Sequence, residues 1–323
     1  MECERIVIRR GPRSGLPIIV AIHSTALGPA LGGCRIKEYQ RWEDGLADAQ
    51  RLAAAMTAKC AVAGLDHGGG KTVVVAGPGP APGPRPDRTA ALHDVGDLVE
   101  EFGGAYSTGP DVGTGPADMD VIAERTRHVF RGDSSPATAT GVMAALRVLG
   151  GDSYAVIGLG HVGADVAGRL LAAGHRVLVT DVDERKRELF PAAAWVSPDA
   201  ILDAEVDVLV PAALGGLLTP ATVRRLRCRA IAGPANNQLD DPATADLLHE
   251  RGIVWAPDHV VSAGGVLYAT ETDLHGASPT AATARVEKIG ETLQAILDRA
   301  AGEGTTPLRA AEALAAARFT RPR

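Results

Sequence analysis

The sequence predicts an α/β protein with an N-terminal α/β domain, a second doubly wound domain and an active-site cleft between the two. The 323 residues exceed the roughly 100–200 residues of one ordinary domain. Short β-branched runs alternate with helical stretches in the second half, which is typical of a parallel sheet. Hydrophobic residues make up 46% of the chain and charged residues 22%, enough for packed cores. We expect domains at residues 1–135 and 136–284, with C-terminal helices at about 285–323 joining the first.

The first elements of the chain surround two lysines. Ile18–Ile22 is a β-branched run that predicts a strand, and the glycines and proline of residues 28–33 predict a turn-rich loop after it. Alanine and leucine at helical spacing predict an amphipathic helix over Glu43–Ala61, with Lys59 near its C-terminal end. Three glycines precede Lys71 and a valine run follows it, which predicts a loop-to-strand junction.

Proline and glycine divide the rest of the first domain. Residues 77–86 alternate glycine with proline and predict an exposed loop, because proline cannot donate to a helix or a central strand. A helix is expected at Arg88–Phe102, followed by a turn that begins at Gly109 and carries Asp111. The segment 131–136 predicts the domain boundary.

The second domain opens with Gly158, Gly160 and Gly163, which follow a buried strand and start a helix. A second strand, Arg176–Thr180, ends at Asp181 about 20 residues further on. This order predicts a Rossmann dinucleotide site, since the glycines allow a tight turn, close approach of the pyrophosphate and helix packing. The alternative is a glycine-rich turn without a ligand.

The cofactor is expected to be NAD. Asp181 would accept hydrogen bonds from the adenosine ribose and repel a 2′-phosphate, although Arg185 and Arg187 weaken that preference. Further strands at 206–210, 229–232 and 253–256 and two C-terminal helices at 283–299 and 308–318 complete the doubly wound pattern.

Lysine is rare in this arginine-rich chain, which holds only Lys37, Lys59, Lys71, Lys186 and Lys288. Arginine keeps its proton, whereas a buried lysine can serve as a general base. Lys59 and Lys71 flank one glycine-rich turn and are therefore expected to converge in one pocket, one as a base and the other as a cation for a carboxylate. The alternative is two ordinary surface lysines, and Asp111 is equally well an acid placed for chemistry or a plain turn residue.

Other features limit the classes of function. Asn236 and Asn237 follow a predicted strand and are expected to hold cofactor or substrate groups, or else to cap the next helix. The histidines lack metal-ligand spacing and the four cysteines lie far apart, so no metal is expected. A net charge of −6 gives no general attraction to nucleic acid, and the absence of a signal peptide or long apolar run predicts a cytoplasmic protein without a membrane span.

Seven segments resemble the glutamate/leucine/phenylalanine/valine dehydrogenase superfamily, most nearly its leucine and valine branch. They run in family order from about Ala21 to Val266: AIHSTALGPALGG, MTAKCAVAGLDHGGGKTVV, PDVGT, VIGLGHVG, VTD, GPANNQL and APDHVVSAGGV. The resemblance implies that Lys71 is the catalytic base, that Lys59 binds the substrate carboxylate and that Asp111 assists at the amino group.

The resemblance also implies binding residues. The substrate set is Lys59, Gly32, Gly33, Leu31, Gly109, Asn237, Ser262, Val266 and Ala269. The cofactor set is Thr138, Gly158, Leu159, Gly160, His161, Val162, Gly163, Asp181 and Asn236. Gly109 and Ala269 are smaller than the residues typical of leucine-type members, which predicts a roomier side-chain pocket. Ser262 stands where most relatives carry asparagine, so one hydrogen bond to cofactor or substrate is expected to differ.

The implied reaction is the reversible NAD-dependent oxidative deamination of a branched or bulky hydrophobic L-amino acid to its 2-oxo acid and ammonia. The alternatives are a dehydrogenase for phenylalanine, another aromatic or an unusual amino acid, a reductase for an imine or 2-oxo acid in a specialised pathway, and a dinucleotide-binding protein without turnover. The short ends of the chain predict a homo-oligomer smaller than the family octamers, with a dimer favoured.

Overall fold

A computed structural model describes residues 3–77 and 87–319. Contacts divide the chain into two units, one of residues up to Asp133 together with those from Ala315 onward, and one of Ser134–Leu314. Apart from Gly77, the glycine–proline segment expected to form an exposed loop lies outside the described residues. No helix in the described ranges is long and apolar enough to cross a membrane.

The first unit is built on a five-stranded mixed sheet in the order β1-β2-β4-β3-β5. Strands β1, β2 and β4 pair antiparallel, and β4, β3 and β5 pair parallel. Its elements are β1 (Arg5–Arg10), β2 (Pro17–Ser24), β3 (Ala30–Glu38), α1 (Trp42–Val62), β4 (Gly68–Ala76), α2 (Arg88–Glu100), β5 (Tyr106–Pro110) and α3 (Pro116–Ala123).

Two expectations for this sheet are wrong. Most of the expected turn-rich loop at residues 28–33 belongs to β3, a strand between β4 and β5. The three glycines before Lys71 are strand residues too, so Lys71 lies inside β4 and not at its start. The glycines of β3 and β4 predicted turns because glycine weakens a strand. In the structure, atoms of neighbouring elements occupy the positions where the side chains of these residues would lie. A Cβ on Gly68 would fall 1.8 Å from Ser24 O.

The sheet of the first unit is covered on both faces. Ile18, Val20 and Val74 pack with residues of α2 and α3 in one core. Ile19 and Val73 point to the other face and pack against the small residues of α1. Each fully buried aliphatic side chain contributes about 1.5–3 kcal/mol of transfer free energy. This double cover fixes the strands that carry the candidate site.

The second unit is built on a six-stranded parallel sheet in the order β8-β7-β6-β9-β10-β11. The chain winds outward in both directions from β6, which confirms the predicted doubly wound fold. Its elements are α4 (Ser135–Leu149), β6 (Ser153–Ile157), α5 (His161–Ala172), β7 (Arg176–Thr180), β8 (Ala194–Trp195), β9 (Val208–Pro211), α6 (Pro220–Arg225), β10 (Ala230–Ile231), α7 (Thr244–Glu250), β11 (Val254–Trp255), α8 (Asp258–Val261), α9 (Gly264–Ala269), α10 (Pro279–Glu287), α11 (Ile289–Glu303) and α12 (Pro307–Phe319).

The C-terminal helices differ from the expected assignment of residues 285–323 to the first domain. Contacts place the chain up to Leu314 in the second unit. Gly141 of α4 provides the reason, because a Cβ there would fall 2.7 Å from Ile289 Cδ1 and the two helices therefore pack closely. Only the end of α12 belongs to the first unit, where Arg318 donates hydrogen bonds to Ala61 O at 3.3 Å and to Asp66 Oδ1 at 2.5 Å.

Candidate active site

Lys71 is a buried cation on a central strand of the first unit. Its side chain is 6% exposed, and its Nζ lies 2.8 Å from Asp111 Oδ2. The carboxylate compensates a charge that would otherwise be costly to bury. Neither residue is an ordinary surface group.

Asp111 follows β5 on a tight turn that fixes its backbone. Its N–H donates to Thr114 Oγ1 at 3.0 Å, and its carbonyl accepts from Thr114 N at 2.9 Å. Gly113 has φ +81°, and a Cβ there would fall 2.0 Å from Ile36 O, so only glycine fits this turn. Burial raises the pKa of Asp111, but the neighbouring Lys71 and Arg35 cations outweigh it and lower that pKa to about 2. Asp111 is therefore a carboxylate at neutral pH.

Gly32 and Gly33 lie where neighbouring atoms leave no space for a side chain. A Cβ on Gly32 would fall 1.9 Å from Gly70 O, so β3 and β4 approach closely there. A Cβ on Gly33 would fall 2.8 Å from Asp111 Cβ and 3.1 Å from Lys71 Nζ. Gly33 thus lies directly beside the Lys71–Asp111 pair.

Lys59 lies half-buried in the last turn of α1. That part of the helix packs on the glycine segment of β4, since a Cβ on Gly69 would fall 2.1 Å from Thr57 N and 2.4 Å from Ala53 O. The fold therefore brings the end of α1, with Lys59, beside the strand that carries Lys71.

Two residues of the expected side-chain pocket are also in the first unit. Leu31 is 1% exposed on β3. Gly109 lies on β5 beside Phe130, whose Cβ would be 3.4 Å from a Cβ added to Gly109. The free space at Gly109 is therefore bounded by an aromatic ring. Phe130, which no local sequence pattern marks, is held next to β5 by a backbone hydrogen bond from Phe130 N to Thr108 O.

The glycine-rich turn of the second unit has the geometry that a pyrophosphate needs. Gly158 has φ +98° and allows the turn out of β6. A Cβ on Gly163 would fall 2.0 Å from Gly158 O, whereas the space at Gly160 is open. No described side chain caps the first turn of α5, so its N–H groups face a position where phosphate oxygens could accept them. These residues fit a bound dinucleotide.

Asp181 lies at the end of β7, where an adenosine ribose would be recognised. Its Oδ2 accepts from Leu159 N at 2.7 Å and its Oδ1 from Asp183 N at 2.9 Å. Lys186 Nζ also lies 2.9 Å from Oδ2. Burial raises the pKa of Asp181, but these backbone donors and Lys186 lower it overall. Arg185 and Arg187 were the cations expected to weaken the NAD preference here, but the cation in contact with Asp181 is Lys186.

The other expected cofactor residues lie on nearby elements of the second unit. His161 is exposed and Val162 half-buried at the start of α5, while Leu159 is buried in the turn before it. Thr138 of α4 donates from Oγ1 to Ser134 O at 3.0 Å. Its Oγ1 would lie 2.8 Å from a Cβ on Gly265, so Thr138 faces the start of α9.

Asn236 and Asn237 do not cap a helix, because α7 begins only at Thr244. Asn237 has φ +54° and is the only non-glycine residue of the described ranges with positive φ. Such a conformation persists only where its surroundings enforce it.

Gln238, which no local sequence pattern marks, holds the backbone next to Asn237 in place through its hydrogen bonds. It is fully buried, and its side-chain amide donates to Gly233 O at 2.8 Å and Ala235 O at 3.0 Å. Its Oε1 accepts from Trp255 Nε1 at 3.0 Å, and its backbone N–H donates to Asp258 Oδ2 at 2.8 Å.

Ser262, Val266 and Ala269 follow on α8 and α9. Ser262 Oγ donates to Asp258 O at 2.6 Å and lies 3.4 Å from Asn236 Oδ1. Val266 and Ala269 are both half-buried and lie three residues apart, on one face of α9. Within the described residues, no group of three or more histidine, cysteine or acidic side chains could hold a metal ion.

Two models of known protein families match this chain. The family model described as "Glu/Leu/Phe/Val dehydrogenase, dimerisation domain" matches residues 9–128, and the model described as "Glutamate/Leucine/Phenylalanine/Valine dehydrogenase" matches residues 179–318. The chain belongs to this dehydrogenase family. The chain is therefore an amino acid dehydrogenase. The family as a group is NAD(P)-dependent.

Individual relatives of this dehydrogenase are similar over nearly their full length. It is 37% identical to the leucine dehydrogenase of Thermoactinomyces intermedius, over 98% of this chain and 91% of that protein. It is 39% identical to the valine dehydrogenase of Streptomyces coelicolor, over 99% and 93%. The crystal structure of L-tryptophan dehydrogenase from Nostoc punctiforme superimposes with a TM-score of 0.82 at 33% identity, covering 98% of this chain and 96% of that one.

Proposed function

We propose that this dehydrogenase catalyses the reversible NAD-dependent oxidative deamination of a hydrophobic L-amino acid. The observation that carries the proposal is the buried Lys71–Asp111 pair, 2.8 Å apart and packed directly against Gly33. A buried ion pair of this kind is typical of a catalytic site, whereas dinucleotide binding alone does not require one.

In the proposed reaction, the α-carbon gives up a hydride with its electron pair, and the dinucleotide, when bound, supplies the acceptor. The resulting iminium carbon forms a bond to a water oxygen, and the C–N bond then breaks to release ammonia and the 2-oxo acid. Lys71, in its neutral form, removes the proton from the water, and the resulting ammonium group stabilises the oxyanion that follows. Asp111, a carboxylate at neutral pH, accepts hydrogen bonds from the substrate amino group and exchanges a proton with it.

The substrate carboxylate is assigned to Lys59 and to the backbone at Gly32 and Gly33. A lysine is a compact cation suited to a carboxylate. Gly33 lies directly beside the Lys71–Asp111 pair, so a carboxylate bound at this backbone would be close to both proposed catalytic groups. Fixing the carboxylate orients the α-carbon, and such orientation can contribute several kcal/mol to lowering the barrier.

A branched aliphatic side chain is the first candidate for the substrate, and an aromatic one is the second. The first follows from the similarity to leucine and valine dehydrogenases. The second is favoured by the small residues Gly109 and Ala269 and by the similarity to a tryptophan dehydrogenase. A few methyl groups change specificity by only about 1–3 kcal/mol, so several hydrophobic amino acids should be turned over. Asn237, Ser262, Val266 and Ala269 complete the proposed substrate contacts.

NAD is the proposed cofactor, bound by the glycine-rich turn and Asp181, with Thr138 and Asn236 as further contacts. Asp181 favours NAD because its carboxylate accepts ribose hydroxyls and repels a 2′-phosphate. We also propose a homodimer, since residues 9–128 match the domain described as the dimerisation domain. Light scattering would test the dimer.

The test is a turnover panel that follows reduced nicotinamide absorbance with L-leucine, L-valine, L-phenylalanine and L-tryptophan. Each amino acid is assayed with NAD and, in parallel, with NADP. We expect turnover of at least one branched amino acid with NAD. Calorimetric binding of NAD without turnover of any amino acid would overturn the proposal and favour either a specialised reductase or a protein without turnover.

A further inference from the structure

Arg35 joins the candidate catalytic pair to a second acidic residue. It lies on β3, its side chain is 14% exposed, and two of its nitrogens contact different carboxylates. Nε donates to Asp111 Oδ2 at 2.8 Å and Nη1 donates to Asp48 Oδ2 at 2.8 Å. Asp48 belongs to α1, so one guanidinium connects the turn after β5 to a helix.

Arg35 shares a single oxygen atom with Lys71. Asp111 Oδ2 accepts from both cations at 2.8 Å, so the three groups carry a net charge of +1 when Lys71 is protonated. Lys71 can lose its proton during a reaction, whereas a guanidinium cannot. When Lys71 is neutral, Arg35 is the cation that still compensates Asp111.

The outer carboxylate holds Arg35 in place. Asp48 Oδ2 also accepts from the Tyr39 hydroxyl at 2.7 Å, and its Oδ1 accepts from Arg51 Nη2 at 2.6 Å. Asp48 is 13% exposed. Because guanidinium is planar, contacts at two of its nitrogens fix both its position and its tilt.

We propose that Arg35 is a positioning residue for the deamination reaction. It holds Asp111 in one orientation and favours its ionised form in both protonation states of Lys71, so that Asp111 returns to the carboxylate after each proton exchange with the substrate amino group. This inference rests on the proposed function, because it assumes that Lys71 gives up its proton in the reaction.

The experiment compares Arg35→Gln and Arg35→Lys with the wild-type enzyme, using the amino acid that the wild type turns over best. Gln removes the charge, and we expect kcat to fall about 10- to 100-fold with a smaller change in KM. The acid limb of the kcat profile should move to higher pH, because Asp111 loses one of the two cations that lower its pKa. Lys keeps the charge but cannot contact both carboxylates as a planar fork, so kcat should fall less and the acid limb should stay in place.

Arg13→Gln is the matched control. Arg13 also contacts two carboxylates in the first unit, Asp94 Oδ1 at 2.9 Å and Asp97 Oδ2 at 2.7 Å. Among the described residues, neither of these carboxylates pairs with Lys71 or lies against Asp111. We expect its kcat and pH profile to match the wild type, although its melting temperature should fall.

Three results would overturn the inference. The first is a folded Arg35→Gln enzyme with wild-type kcat and an unmoved acid limb. The second applies if Arg35→Gln does not fold, and is an Arg35→Lys enzyme whose kcat equals that of the wild type. The third is an Arg13→Gln enzyme with the same kinetic defects as Arg35→Gln. Failure of the proposed function is a separate result, because the wild-type enzyme itself would then show no turnover.

Discussion

Lys71 on β4 and Asp111 after β5 form an ion pair with 2.8 Å between Nζ and Oδ2, although 40 positions separate them in the sequence. The two strands are not neighbours in the sheet, since β3 lies between them. The pair therefore reaches across β3 at the point where Gly33 has no side chain. Its geometry leads to three predictions, and the contact between Lys186 and Asp181 leads to a fourth.

Lys71→Ala should lower kcat about 10²- to 10⁴-fold, because the variant lacks the group that activates water. Affinity for NAD, measured by calorimetry, should remain at the wild-type value, since the dinucleotide residues lie in the other unit. Lys288→Ala is the matched control, because Lys288 is an exposed lysine between α10 and α11. Equal losses of kcat in the two variants would contradict the role given to Lys71.

Gly33→Ala should lower kcat about 10- to 100-fold, because a misplacement of about 1 Å at a reacting group has that effect. The added methyl would fall 2.8 Å from Asp111 Cβ and must displace it. Gly132→Ala is the control, since the space around Gly132 is open. Steady-state kinetics measure both variants. Wild-type kcat in Gly33→Ala would show that the pair tolerates displacement.

Asp111→Asn should flatten the acid dependence of stability. The pKa of Asp111 is lowered to about 2 in the folded chain, below the ordinary value of 3.8, so its ionised form stabilises the fold at higher pH. That contribution, about 2 kcal/mol in wild type, is complete above pH 4 and is lost as the pH falls toward about 2. Urea unfolding at several pH values between 6 and 2 measures it. If the free energy of unfolding has the same pH dependence in both proteins, the stabilising interaction of Asp111 with Lys71 and Arg35 is contradicted.

Lys186→Ala should sharpen the preference for NAD over NADP. Lys186 Nζ lies 2.9 Å from Asp181 Oδ2, and without this cation the carboxylate repels a 2′-phosphate more strongly. We expect NADP affinity, measured by calorimetry, to fall about tenfold or more relative to NAD affinity, which corresponds to about 1.4 kcal/mol. Arg187→Ala, which removes an exposed neighbouring cation, should change the ratio less. An unchanged ratio in Lys186→Ala would refute the role of Lys186.

The sequence predicted the parts of the molecule that local patterns determine. Gly158, Gly160 and Gly163 act within one strand–turn–helix unit, so the order of strand, glycines, helix and second strand predicted the turn. Asp181 was predicted at the end of that second strand. The resemblance to a known family supplied the candidate roles of Lys59, Lys71 and Asp111.

The features that depend on contacts between distant residues could not be predicted. Arg35 contacts a carboxylate 76 positions away, and nothing in its local sequence marks that partner. The glycines of β3 and β4 looked like turn residues because the atoms that fill their Cβ positions belong to other parts of the fold. These atoms are strand backbone at Gly32 and Gly68, the backbone of α1 at Gly69 and the Tyr106 ring at Gly70. Phe130 was missed for the same reason, since only the fold brings it beside Gly109.

Gly68, Gly69 and Gly70 have a practical consequence for protein engineering. Backbone atoms or the Tyr106 ring lie within 2.7 Å of each position where a Cβ would stand. A library that randomises this stretch should therefore return almost only the parental glycines. Efforts to change the substrate should leave β4 untouched and vary Val266 and Ala269, two of the proposed substrate contacts, whose helix face is only half-buried.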